Sequence, residues 1–255
     1  MSWYKTALRK HMMRADLHIH AGDESDFNDP QIKESSIRSI LTAAIIKGLD
    51  VVGIIAHDGP NMGWQAQEIA KNTRLDLWVI PGQEYVCSDK IRLLAYYIKQ
   101  PLQPNLTYSQ VVELVHKQHG LIMVIDLTKR QSQMINKSKG TVMAPDAIEI
   151  YNASVGGYHD VEVDFPKFIS SASKSAKDIE TINVFTLINR KDLESIGFIP
   201  VGEGTDYVPK YLQRDDAIDT YGGYGQMADP DSQPQNPNDP NANLPQQTAI
   251  PEPQR

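Results

Sequence analysis

The sequence predicts an α/β fold built on a parallel sheet, either open or closed into a barrel. Three observations predict it. Strand-like apolar runs alternate with segments of helical period, several runs are apolar throughout as strands buried on both faces are, and three of them end abruptly in His or Glu.

Taken in order, residues 14–19 read as the first strand. Residues 32–47 carry Ile37, Ile40, Leu41, Ala44 and Ile45 on one helical face, and Gly48 follows where a C-terminal glycine is expected. Val51-Val52-Gly53-Ile54-Ile55 is the next strand, which makes a βαβ unit. A helix over 64–72 and strands over 77–80 and 91–98 come next. The capping box Thr107-Tyr108-Ser109-Gln110 then opens a helix that Gly120 closes, with His116 and His119 expected to face solvent. Strands over 121–125, 147–150, 184–187 and 198–201, with a short helix over 189–196, complete the alternation. Residues 128–145 read as a polar loop, and 151–180 as an irregular stretch whose Ser/Lys/Ala-rich run after Gly156-Gly157 is readable as one helix.

Composition bounds the function. A chain of 255 residues, 40% hydrophobic, is long enough for one large core. Beyond about residue 210 the hydrophobic periodicity stops, and from Gln226 the chain is almost wholly Asn, Gln, Pro and Asp. We therefore expect one domain over residues 1–210 and a disordered tail over 211–255, able to tether a protein partner. The net charge of −7 offers no basic stripe, so autonomous DNA binding is not expected. One cysteine, Cys87, forms no internal disulfide, and the N-terminal residues lack an apolar stretch of signal-peptide length, which makes the cytoplasm the expected compartment. No apolar run approaches the roughly 20 residues of a membrane span.

The chemistry gathers at strand ends. In Asp16-Leu17-His18-Ile19-His20, residues two apart on a strand share a face with Cβ atoms about 6.6 Å apart, so the two imidazoles can converge on one ion. Two unrelated histidines on an ordinary strand fit the pattern equally well. The second buried strand ends in His57-Asp58, at the carboxyl edge where parallel α/β folds bind ligands. Val79-Ile80-Pro81-Gly82-Gln83 delivers Glu84 just past a third apolar strand, although a single such carboxylate is usually a solvated loop residue. Cys87 reads as a small buried hydrophobe rather than a soft ligand, His159-Asp160 as a surface pair rather than a replacement ligand, and Trp64 and Trp78 as core or cleft packing.

These segments, in this order and spacing, resemble the first three motifs of the PHP (polymerase and histidinol phosphatase) family of metal-dependent phosphoesterases, over most of residues 14–208. The resemblance implies a distorted (β/α)7, TIM-like barrel with two or three metal ions at the strand ends, and hydrolysis of phosphoesters. By position it makes His18, His20, Asp26, His57, Glu84, Asp126 and Asp206 the metal ligands: Asp26 through Ser25-Asp26, Asp126 where a strand usually ends in histidine, and Asp206 through Gly204-Thr205-Asp206. Ala56 stands where the family has an aspartate, Arg92 and Val208 where it has histidines. The thinned site is expected to hold one or two divalent ions, with manganese, zinc or iron equally suited to the His and carboxylate set.

Arg92 is expected either to hold a substrate phosphate or to pair with Glu84 or Asp126. The implied substrate is a small phosphorylated molecule or a nucleotide phosphodiester, attacked by a metal-activated water. The substitutions leave a second reading open, a catalytically impaired PHP-fold binding or scaffold protein. An amidohydrolase-type barrel also begins with His-x-His but wants a metal-bridging lysine and later strand-end histidines, which we do not find in the sequence.

Overall fold

A computed structural model describes residues 12–158 and 163–199. They lie in the first of two compact units, Met1–Arg214; the second, Asp215–Arg255, lies outside the described residues, as do the expected strand end at 200–201, the proposed ligand Asp206, Val208, His159-Asp160 and the expected tail. Among the described residues no helix is long and apolar enough to cross a membrane.

The first strand, β1 (Met12–His20), pairs in parallel with β2 (Val51–Ala56), which pairs in parallel with β3 (Trp78–Val86). Between β1 and β2 runs α1 (Pro30–Lys47). Asp29 caps it by accepting from the Gln31 N–H, and Gly48 ends it at φ 72, a left-handed turn that glycine adopts without a Cβ penalty. Ile37, Ile40, Leu41 and Ala44 are buried as the periodicity predicts, while Ile45 is exposed. The helix α2 (Asn61–Asn72) joins β2 to β3.

The sheet then departs from the all-parallel expectation. β4 (Arg92–Tyr96) runs antiparallel to both β3 and β5 (Leu121–Ile125). The cause is connection length: a handful of residues separate β3 from β4, whereas a parallel crossover needs about a dozen or more. The α/β barrel survives this reversal. The helix α3 (Tyr108–Lys117) leads into β5, which pairs in parallel with β6 (Ala147–Asn152).

The stretch 128–145, expected to be a loop, contains α4 (Lys129–Lys137), opened by a capping box between Thr128 and Gln131. Residues 151–180 hold β7 (Gly157–Tyr158), β8 (Lys167–Ser170) and α5 (Ala176–Thr181) instead of one helix. β8 is the strand that closes the barrel: it pairs in parallel with β6, and just past its end Ser173 bridges Ile19 while its carbonyl accepts from the His20 N–H at 2.8 Å. β9 (Thr186–Asn189) pairs antiparallel with the lower half of β1, and α6 (Arg190–Ile196) follows it.

Strand alternation sorts the apolar side chains into layers. Ala15, Leu17, Ile55, Ile80, Leu94 and Met123 meet inside the barrel, packed with Tyr96, Phe168 and Phe198. Outward-facing residues pack against helices in two further clusters. His116, expected at the surface, is buried in α3, whereas His119 is exposed at φ 59.

β1 breaks its own alternation. Its register with β2 slips between Asp16 and Ile19, so Leu17 and His18 together oppose Gly53. Ala15 and Leu17 face inward below this bulge, and Ile19 and Ala21 face outward above it. The Leu17 carbonyl accepts from the Tyr96 hydroxyl at 2.9 Å and lies 2.1 Å from where a Cβ on residue 53 would stand. Only glycine fits there.

Two predictions follow from this packing. Tyr96→Phe removes the hydrogen bond to the Leu17 carbonyl and should cost about 0.5–1.5 kcal/mol, and Gly53→Ala at least as much through backbone clash. Urea denaturation midpoints unchanged in both variants would refute the bulge. Burial holds His116 neutral, its pKa lowered from 6.5 to about 4. The unfolded chain therefore takes up this proton first: stability should be full above pH 6.5 and fall towards pH 4 by up to about 1.4 kcal/mol per pH unit, a slope that His116→Gln should flatten in denaturation curves.

Candidate metal centre

The bulge in β1 turns His18 and His20 to the inner face at the carboxyl end of the strand. Alternation along β2 and β3 brings His57 and Glu84 to the same face. Glu84 lies within β3, opposite Leu94, and not past its end as the sequence suggested. The Nε2 atoms of His18 and His20 are 3.0 Å apart, and Glu84 Oε2 is 3.5 Å from the first and 3.4 Å from the second. His57 Nε2 reaches the same oxygen at 3.5 Å, and its ring stacks on His20 with centroids 4.8 Å apart. Among the described residues, His18, His20 and Glu84 are the group whose ligand atoms all lie within 4.8 Å of one another.

The outer nitrogens are held from behind. His18 Nδ1 meets Glu149 Oε2 at 2.9 Å, and that same carboxylate oxygen accepts from the Ser170 hydroxyl. His57 Nδ1 lies 3.1 Å from both oxygens of Asp23, which also accepts the His57 backbone N–H. A carboxylate behind an imidazole fixes which nitrogen bears the proton and aims the other forward. Asp58 accepts from the N–H groups of Glu24 and Ser25 at 3.1 and 2.8 Å, pinning the turn that carries Asp23. The strand end is tied down as well: Asp16, its carboxyl raised to about 6 mainly by burial, accepts from the Ser171 N–H beside the barrel closure.

Charge is concentrated here. Glu149 is fully buried and Glu84 4% exposed, so two carboxylates sit in a medium that disfavours charge. Burial would lower the pKa of His18, but Glu149 and Glu84 outweigh it and raise it to about 10. Burial, together with the charges of His18 and His57, lowers that of His20. Burial would raise Glu84, yet hydrogen bonds from His18 and His20 and the charges of His18 and Arg92 hold it well below the usual carboxylate range. A cation is therefore favoured beside Glu84 Oε2, where the Nε2 atoms of His18 and His20 meet it. Metal bonds of about 2.0–2.1 Å at tetrahedral angles place ligand atoms about 3.3 Å apart, close to the separations of 3.0 to 3.5 Å among His18, His20 and Glu84, with His57 beside this group at 3.5 Å from Glu84 Oε2. The donor set fits a divalent cation.

Two other expected ligands, Asp26 and Asp126, are engaged elsewhere. Asp26 turns its carboxylate to the Asp23 N–H at 2.9 Å, within the one-turn 3-10 helix Glu24–Asp26. Asp126, just past β5 at φ 51, pairs with Arg92, and Arg92 pairs in turn with Glu84. Both pairings foreseen for Arg92 therefore occur together. The Ala56 side chain packs into the outer core, away from the centre, as does Cys87, whose thiol burial raises to about 12. Trp64 donates to the Ile98 carbonyl at 2.7 Å as packing. Sequence reasoning missed Asp23 and Glu149. Glu149 carried a readable signal, a lone carboxylate inside the apolar run Ala147-Ile148-Glu149-Ile150; Asp23 carried none.

No protein-family model matches this chain, and no curated protein matches it. Among solved structures, one from Bifidobacterium adolescentis, provisionally described as a metal-dependent phosphoesterase, is similar at 12% identity and a TM-score of 0.46, over 71% of this chain and 94% of that one. Likeness at that level bears on neither family nor activity.

Glu149→Gln and Asp23→Asn should each weaken zinc or manganese binding about 10–100-fold while the fold is retained. Calorimetric titration showing unchanged affinity in both would separate these carboxylates from the centre.

Proposed function

We propose that the chain is a PHP-type metal-dependent phosphoesterase acting on a small phosphorylated molecule or a nucleotide phosphodiester. The observation that carries this reading is the close grouping of His18, His20 and Glu84 at the strand ends, with His57 beside Glu84 and with His18 and His57 each backed by a carboxylate. A divalent ion bound there would supply an activated water near neutral pH and polarise a phosphoryl oxygen.

The chain's own residues do the rest. His18 and His20, buried on β1, hold their nitrogens in fixed positions, and His57 is half-exposed. Arg92, 42% exposed at its side chain, keeps guanidinium N–H groups available to phosphate oxygens beyond those spent on Glu84 and Asp126. Those two pairings also favour a second reading, a PHP-fold binding or scaffold protein of impaired activity, since they already engage the arginine that a phosphate would need.

Purified wild type should contain bound metal and hydrolyse a generic phosphoester with added manganese or zinc, and His18→Ala/His57→Ala should lose both. A folded wild-type protein that binds metal but turns over no substrate in a broad phosphoester panel would decide for the scaffold reading.

A further inference from the structure

Glu84 divides its two oxygens between different neighbours. Oε2 faces the Nε2 atoms of His18, His20 and His57, while Oε1 accepts from one terminal nitrogen of Arg92. The other terminal nitrogen of Arg92 donates to Asp126 Oδ2. Backbone register favours this arrangement. Arg92 opens β4, opposite Val86 on β3 and Ile125 on β5, so its side chain rises between the ends of the two strands that present Glu84 and Asp126.

Among the described residues, Glu84 and Asp126 are the carboxylates that meet Arg92, and a second ion beside Glu84 would contend with the guanidinium for them. In two-metal sites the ions stand about 3.5–4 Å apart and are bridged by such groups. The bridging position is taken by a guanidinium, which does not deprotonate in proteins and has no lone pair to offer a metal. Resting on the metal-centre reading above, we propose that this centre takes a single divalent cation and that Arg92 permanently replaces a second one. The inference fixes the stoichiometry and gives Arg92 the role of specificity-determining residue: a phosphoryl group would be held between one ion and one arginine. Asp126 is then a positioning residue for Arg92 rather than a ligand.

Equilibrium dialysis of the full chain against manganese or zinc, followed by elemental analysis, tests it. Wild type should bind one equivalent. Arg92→Ala, which removes the guanidinium from Glu84 Oε1 and Asp126 Oδ2, should gain a second, weaker equivalent, and Arg92→Ala/Asp126→Asn should return to one. Circular dichroism checks the fold, and Arg92→Gln, close in size but neutral, should show the same gain if Arg92→Ala does not fold. Two tight equivalents in the wild type, or a count that stays at one in folded Arg92→Ala and Arg92→Gln, would overturn the proposal. One equivalent without hydrolysis supports it while ending the hydrolase reading; no bound metal in the wild type ends both.

Discussion

One misaligned residue in β1 decides which side of the barrel wall the histidines face. A regular strand that points Ala15 and Leu17 inward would point Ile19 inward too and turn His18 and His20 towards the helices. The bulge opposite Gly53 adds one residue and inverts the upper half of the strand. At the bulge the Leu17 carbonyl accepts from the Tyr96 hydroxyl of β4, which helps hold the irregular backbone. The imidazole pair therefore depends on a glycine in β2 and a tyrosine in β4, neither of which is near it in sequence.

The second constraint is electrostatic. Glu84 and Glu149 are buried at the same end of the barrel, one in front of His18 and one behind it, and neither can be accommodated there without nearby positive charge. His18 answers both and Arg92 answers Glu84 from the side, so the site is organised around cations whether or not a metal is bound. Barrel closure belongs to the same network. Ser170 reaches Glu149, Ser171 reaches Asp16 and Ser173 reaches His20, so the short strand β8 and the residues after it join the sheet's last edge to the strand that carries the histidines.

Legibility in the sequence followed the range of the interactions. His18, His20, His57 and Glu84 were legible because each ends or lies in an apolar run, a pattern visible within ten residues. Asp23 was not, because its partner is 34 residues away and nothing local marks it; Glu149 stood out as a carboxylate in an apolar run, but its partner, 131 residues away, did not. Asp26 attracted attention by its place after Ser25, yet its carboxylate serves the turn. The helix α4 was missed because its polar surface hid a capping box that the same reasoning found before α3.

By itself, the sequence determined the α/β alternation, the barrel-sized core, and which residue types stand at the strand ends, because hydrophobic period and end chemistry are local properties of the chain. Tertiary structure alone decided that β4 runs backwards, that β1 bulges, that β8 closes the ring, and that Arg92 bridges Glu84 and Asp126. Each of these depends on distances between segments remote in sequence, set by connection length and by which carbonyls and carboxylates must find partners once buried.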